Sequence, residues 1–248
     1  MISFKDHFSD VAQDYARYRP RYPEELFAFV ASVCPRHELA WDCATGSGQA
    51  ATGLARFFER VVATDASPQQ IANALADPKI EYRVAAAENS GLASGSVDLV
   101  TVAQALHWLD LDRFYGEVRR ALAPGGTLAV WSYYWLHVDP KVDALVRRYH
   151  DETVGPYWPP ERALVARGYA TVAFPFEPIA SPPLSIEEHW DFTAIVGYLS
   201  TWSATRRFRE STGEEPLDLV VPDLLAAWGD PKRVRTVRWP LEVRVGRI

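Results

Sequence analysis

The sequence predicts an α/β protein built on a doubly wound, mostly parallel sheet, and three observations carry that prediction. Through the first half of the chain, short apolar runs alternate with amphipathic stretches of roughly 10 to 13 residues, as strands joined by crossover helices do. Several of the runs are nearly continuous in apolar residues, which is what strands covered on both faces require. The first run ends in Thr45-Gly46-Ser47-Gly48, a glycine turn at the edge where such sheets bind ligands.

The elements follow in order. Leu39 to Ala44 is the first strand, and Gln49 to Phe58 a helix with Ala51, Leu54, Ala55 and Phe58 at helical spacing. Val61 to Thr64 is short, β-branched and ends at Asp65. Ser67-Pro68 opens a helix to about Ala76, since serine supplies an acceptor for an orphan N–H and proline presets φ. Ile80 to Ala85 alternates as a strand, and Val97 to Ala103 is a nearly continuous apolar strand. Asp110 to Leu122 is an amphipathic helix, Pro124-Gly125-Gly126 a turn, and Thr127 to Tyr133 a fifth strand. Past Val138 the pattern loosens. Val142 to His150 reads as helix, Pro156 to Pro160 as a rigid turn, and Tyr169 to Phe176 as a strand. Ile186 to Phe208 reads as one or two helices, and Thr236 to Val245, split by Pro240, as a last strand or hairpin.

Composition narrows the function. At 248 residues, 48% hydrophobic and 23% charged, the chain has the make-up of a soluble globular domain with a sizeable core. A net charge of −6 argues against a nucleic-acid partner; the basic stretches Arg206 to Arg209 and Lys232 to Arg238 read as solvated faces. Two cysteines, Cys34 and Cys43, make neither a disulfide framework nor a zinc site, so no metal is expected. Met1 to Asp14 has no apolar core of a signal peptide, and no segment approaches the ~20 apolar residues of a membrane span. The expectation is a cytoplasmic protein, monomer or homodimer, with no membrane partner.

The glycine turn fits two ligand chemistries. Gly46-x-Gly48-x-x-Ala51 with Asp65 nineteen residues after Gly46 satisfies a dinucleotide fingerprint, so an NAD(P)-dependent oxidoreductase is one reading. Asp42, however, stands at the end of the strand just before the turn. A carboxylate there repels a pyrophosphate and stabilises a sulfonium and an ammonium.

Asp42 to Gly48 resembles the D-x-G-x-G-x-G first motif of class I S-adenosylmethionine-dependent methyltransferases, with Asp65 as the acidic second motif. Ala85-Ala86-Ala87-Glu88, then Leu92 and Ser96 to Val100, is similar to the family's "G-D-A-E…L-P…S-F-D-L-V" stretch. Gln104 to Asp110 resembles the "Q-A-x-H-W-F-D" segment of a small-molecule branch that includes trans-aconitate methyltransferase-like proteins. Leu122 to Leu128 matches "L-x-P-G-G-x-L", Tyr15 to Pro23 looks like "Y-A-x-Y-R-P-x-Y-P", and Gly197 to Ala204 resembles the C-terminal lid motif. The chain departs from the pattern at Ala44, where the family usually has glycine.

The resemblance implies a Rossmann-like methyltransferase fold of seven strands with a C-terminal helical lid, in a single domain. Its parts are an N-terminal cap over 1–36, a cofactor-binding core over 37–135, and lid helices with the last strands over 136–248. It implies S-adenosylmethionine as cofactor, held by Asp42, Ala44, Gly46, Gly48, Asp65, Ala87, Glu88 and Gln104, with Tyr15 and Arg19 closing over it. His107 is the candidate catalytic residue, as general base or hydrogen-bond donor to the acceptor, and Trp108, Tyr133 and Trp202 are candidates for the acceptor pocket. The acceptor is expected to be a small molecule methylated on a carboxylate or a hydroxyl. A non-catalytic methyltransferase-like binding protein is the third reading, motivated by Ala44 and by the lack of an obvious base.

Overall fold

A computed structural model describes residues 18–248, so Tyr15 and Arg17 lie outside the described residues. Five strands run parallel: β1 (Leu39–Cys43), β2 (Arg60–Asp65), β3 (Ile80–Val84), β4 (Val97–Ala103) and β5 (Leu122–Tyr133). β6 (Glu177–Ile179) and β7 (Leu184–Trp190) each pair antiparallel with β8 (Arg235–Arg247), which pairs antiparallel with β5. The order β3-β2-β1-β4-β5-β8-β6 reverses direction between β1 and β4, so the crevice beyond their carboxyl ends is the natural ligand site. The expected doubly wound sheet is present, and it is seven positions wide with eight strands. β6 pairs with residues 245–247 of β8 and β7 with residues 235–241, end to end along one edge. Pro182-Pro183, between them, breaks what would be one strand into two.

Helices α1 (Glu24–Ser32) and α2 (Gln49–Leu54) pack on one face, and α4 (Leu111–Ala121) on the other. Side chains alternate accordingly along β5: Ala129 and Trp131 enter the first core, Leu128 and Val130 the second. α3 (Pro68–Ala72) begins as its sequence requires, with the Ser67 hydroxyl accepting from the Gln70 N–H at 3.3 Å, but it is shorter than expected. The Asn73 side chain donates to the Gln69 carbonyl and closes the last turn there.

The second half departs from the sequence reading in two places. Tyr169 to Phe176 is a run of turns, not a strand. Gly168 and Tyr169 both have positive φ, and Arg244 Nη1 holds the carbonyls of Tyr169 and Val172 that a ladder would use. Its apolar residues pack down onto the second core and only mimic strand alternation. Ile186 to Trp190 is the end of β7 rather than helix; α7 (Phe192–Ser200) starts after it, capped by Asp191, and α8 (Ser203–Thr212) follows. β8 runs unbroken through Pro240. Arg238 pairs with His137 on one side, and Pro240 turns its nitrogen to that same side past the end of β5, where no donor is required.

Three further helices complete the lid: α5 (Pro140–Arg148), α6 (Arg162–Ala166) and α9 (Val221–Trp228). Four residues of the basic stretches pair within the chain, Arg206 with Glu210, Arg209 with Glu215, Arg235 with Asp139 and Arg238 with Glu187. Both cysteines are buried, and Cys43 packs as an apolar residue in the second core. Among the described residues no helix is long and apolar enough to cross a membrane, and no cluster of metal-ligating side chains occurs.

Candidate active site

The expected cofactor end is the turn after β1. Asp42 is fully buried there, with Thr45 Oγ1 donating to one carboxylate oxygen and Thr101 Oγ1 to the other at 2.7 Å. Burial pushes its carboxyl up to about 6, against the pull of the threonine hydrogen bonds and with a smaller push from Asp65. The backbone then passes through Ala44 at φ +54°, and the Thr45 N–H donates to the Thr64 carbonyl, tying the turn to the end of β2.

The two glycines serve different purposes. A Cβ on Gly46 (φ +57°) would meet only Gln70 Oε1, at 3.9 Å, so the space above it is open. A Cβ on Gly48 (φ +84°) would lie 2.2 Å from the Tyr82 hydroxyl, so this glycine admits a side chain of β3. Asp65 accepts the Gly46 N–H on Oδ2 and the Ser67 N–H on Oδ1, both at 2.9 Å, and its carboxylate is thereby fixed against the glycine turn. Ala87 is buried, and Glu88 accepts from the Asp110 N–H at 3.3 Å.

Beside it lie the ends of β4 and β5. Gln104 has φ +56°; its N–H donates to the Trp131 carbonyl at 2.9 Å and its Nε2 to the Tyr133 carbonyl at 2.8 Å, knitting the two strand ends together. His107 sits in the next turn, with Nδ1 2.9 Å from the Tyr169 hydroxyl and its ring on Trp108. Burial, and then the charge of Arg162, push its pKa down to about 3, so the ring is neutral at physiological pH. Ala44, Gln104 and Tyr169 are the non-glycine residues with positive φ among the described residues, and all three stand at this edge. Backbone strain gathers in this way at functional sites.

The lid closes over that edge with aromatic side chains. The Tyr134 hydroxyl is 3.0 Å from His150 Nε2, and His150 Nδ1 is 2.6 Å from Asp151 Oδ1. His150 and Asp151 belong to a π-helical turn, Tyr149–Thr153, a geometry frequent at functional sites. Tyr133 is buried, Trp202 is buried among Tyr149, His150, Trp158 and Tyr198, and Trp108 is about one-third exposed. Residues 18–20 strap the two ends together. Pro20 accepts from Gln49 at the start of α2, Arg19 Nη2 donates to the Thr201 carbonyl, and Tyr18 packs where Gly197 of α7 has no side chain.

Known proteins decide the family. The model of a family described as a methyltransferase domain matches residues 41–130, the span from β1 into β5. A protein of Dictyostelium discoideum assigned as a methyltransferase is 36% identical over 239 residues, 93% of this chain and 91% of its own length. The solved structure of a protein from Anaeromyxobacter dehalogenans assigned as a type II methyltransferase is 49% identical, with a TM-score of 0.88 over 93% of this chain and 98% of that one. The chain belongs to the class I S-adenosylmethionine-dependent methyltransferases. A methyltransferase structure from an antibiotic biosynthesis pathway of Anabaena variabilis, 16% identical with a TM-score of 0.54 over 88% and 98% of the two chains, shares the fold. Membership sets aside the oxidoreductase reading of the glycine turn.

Within this methyltransferase, Asp42, Ala44, Gly46, Gly48 and Asp65 come together on one turn, while Gln104, His107, Trp108 and Tyr133 line the neighbouring strand ends. Trp202 is placed inside the lid's aromatic cluster. Sequence reading missed Arg162, and it took His150 only as a helix end. The signal available for His150 was the adjacent Asp151 followed by the aromatic turn Tyr157-Trp158.

Ala44 yields a direct test. A side chain in the left-handed region costs roughly 1–2 kcal/mol, and replacing it by glycine returns about 0.4–1 kcal/mol as unfolded-chain entropy. Ala44→Gly is therefore expected to stabilise the protein by up to about 1 kcal/mol, read as a Tm rise of roughly 2–4 °C. A fall in Tm would show that the alanine methyl makes contacts worth more than the strain.

Proposed function

We propose that this methyltransferase binds S-adenosylmethionine across the turn of β1 and methylates a hydroxyl of a small-molecule acceptor held between β4, β5 and the lid. The observation that carries the cofactor half is Asp65 fixed against Gly46, with open space over that glycine and the buried Asp42 beside it. Asp65 is placed to accept the ribose hydroxyls, and Asp42 to stabilise the positive end of the cofactor. Ala87, Glu88 and Gln104 flank this cradle, and Arg19 belongs to the strap that closes it. When bound, S-adenosylmethionine supplies an already electrophilic methyl group, so the protein's tasks are positioning, exclusion of water and, for a hydroxyl, removal of a proton.

The chain Tyr134–His150–Asp151 supports the hydroxyl. With Tyr134 O–H donating to His150 Nε2 and His150 Nδ1–H to Asp151, a proton arriving on the Tyr134 oxygen moves the phenolic proton onto the imidazole. Asp151, exposed at the surface, offsets the resulting charge. Burial lowers both imidazoles, but the hydrogen bond to Asp151 pulls His150 back up, whereas Arg162 pushes His107 further down, to about 3, which makes His107 the weaker proton acceptor. Its place is that of a neutral hydrogen-bonding group at the acceptor, oriented by Tyr169.

Calorimetry with S-adenosylmethionine and S-adenosylhomocysteine tests the first half; folded protein that binds neither overturns it. Release of S-adenosylhomocysteine against a panel of phenols, alcohols and carboxylic acids tests the second. Tyr134→Phe and His150→Gln are each expected to lower kcat by roughly 10²–10⁴ while S-adenosylhomocysteine affinity stays within twofold. Unchanged turnover in both variants would point to an acceptor that loses no proton, such as a carboxylate.

A further inference from the structure

Arg162 is a cation with no carboxylate partner among the described residues. It opens α6, its Nε is buried with no hydrogen-bond partner, and no carboxylate lies within 4.0 Å of it among the described residues. Arg148 has Asp223, Arg206 has Glu210, Arg209 has Glu215 and Arg235 has Asp139, whereas Arg162 combines a buried, unsatisfied Nε with no carboxylate partner among the described residues. Arg162 lies over the rings of Trp158, at 4.1 Å, and Tyr134, at 5.0 Å, and Tyr198, Tyr134, Tyr133 and a second cation, Arg19, act on it electrostatically. α6 packs against the turn Leu106–Trp108 just past the end of β4, and the charge of Arg162 acts there on His107 and Tyr169, which sets it on the acceptor side proposed above.

We propose that Arg162 is the anchor for a carboxylate carried by the methyl acceptor, so that the acceptor is a hydroxylated carboxylic acid. This rests on the reading above that the acceptor lies between β4, β5 and the lid. A guanidinium whose Nε is buried with no partner carries a desolvation cost, and an anionic ligand that completes the pair offsets it. Rings over a guanidinium attract it across its plane; the Tyr134 hydroxyl also interacts with the guanidinium, and the fork retains further donors for a planar anionic partner. A planar carboxylate matches that fork and balances the charge of one arginine. Arg162 as a whole keeps some solvent-accessible surface, as a ligand-facing group must. The anchor lies against the ring of Tyr134, so an acceptor held by its carboxylate presents its hydroxyl near the Tyr134–His150 pair.

The test uses the full chain and two near-isosteric probes, 4-hydroxybenzoate and 4-hydroxybenzamide, titrated calorimetrically with and without S-adenosylhomocysteine. The wild type is expected to bind the carboxylate at least tenfold more tightly than the amide. Arg162→Met keeps the stacked stem and removes the charge; it is expected to abolish that preference while its Tm stays level or rises, because a desolvated charge has gone. Arg162→Lys, which keeps the charge without the fork, is expected to fall between the two. Equal binding of the two probes by the wild type, no saturable binding of 4-hydroxybenzoate, or a preference that survives in Arg162→Met each overturns the proposal. So does inorganic phosphate competing as well as 4-hydroxybenzoate, since the site then selects anions by charge and not by the planar fork. S-adenosylhomocysteine binding in the same titrations reports the cofactor reading separately. Its absence beside an intact carboxylate preference sinks that reading and leaves this one standing.

Discussion

Asp65→Ala is expected to weaken S-adenosylhomocysteine binding by at least about 100-fold and to lower Tm by several degrees. The affinity loss follows from charge-assisted hydrogen bonds to the two ribose hydroxyls, each worth roughly 1.5–3 kcal/mol, or about one to two decades. The stability loss has a separate origin in the unliganded protein. The Gly46 and Ser67 N–H groups both donate to this carboxylate at 2.9 Å, and alanine leaves both without it. An unsatisfied donor costs about 1–3 kcal/mol when buried and less where water reaches it. Asp65→Asn separates the effects, because its single amide oxygen still accepts from one of the two N–H groups but carries no charge. It is expected to lose less Tm than the alanine variant while losing most of the affinity. Calorimetry gives the binding constants and thermal unfolding the stabilities. Affinity within threefold of wild type in Asp65→Ala, with the fold intact, would place the ribose elsewhere.

What made the core readable in the sequence was locality. β1 to β5 are bounded by residues that act on their immediate neighbours: Ser67 and Pro68 at the start of α3, Asp110 at the start of α4, and the glycines after β1. The residues of the proposed cofactor cradle could be picked out for the same reason, since Asp42, Gly46 and Gly48 are close together in sequence and Asp65 ends the adjacent strand. Gly48 shows the limit of that reading. The resemblance counts it among the residues that hold the cofactor, and the structure adds a local reason for a glycine there, the close approach of Tyr82 from two strands away. The lid was less legible because long-range contacts decide its elements. Tyr169 to Phe176 alternates like a strand, yet Arg244 from β8 takes its carbonyls and Tyr169 turns back to His107. The proposed acceptor side shows this most strongly. Arg162, Tyr134 and His150 are meaningful only in relation to one another, and the turns between Tyr149 and Trp158 that bring them together follow no simple period.

Asp42→Asn carries the other large expected effect, and its signature is a change in pH dependence as well as in affinity. Burial raises the Asp42 carboxyl to about 6 in the unliganded protein, so near pH 6 the group is about half protonated. A cation placed beside it favours the charged form and lowers that pKa in the complex. Binding therefore releases a proton at acid pH. The affinity of the wild type for S-adenosylmethionine is expected to rise by up to about tenfold per pH unit below 6 and to level off above 7. The asparagine variant has no proton to release at this position, so it should bind about 10- to 100-fold more weakly at pH 7.5 and show a shallower profile. Stability moves the other way. A carboxyl whose folded pKa lies above its unfolded value stabilises the fold fully below the unfolded value, and that contribution is lost as pH rises through about 6. At pH 7.5 the charged carboxylate is thus a burden on the unliganded fold. Asp42→Asn is expected to unfold at the same or a higher temperature, provided the amide still pairs with Thr45 and Thr101. A protein that is more stable and binds its cofactor worse is the behaviour of a charge kept for its ligand and not for the fold. Calorimetry across pH 5–8, in buffers of different ionisation enthalpy, measures the proton released. A wild-type affinity that does not change between pH 5 and 7, with no proton exchanged, would mean that the cofactor's positive charge rests elsewhere than on Asp42.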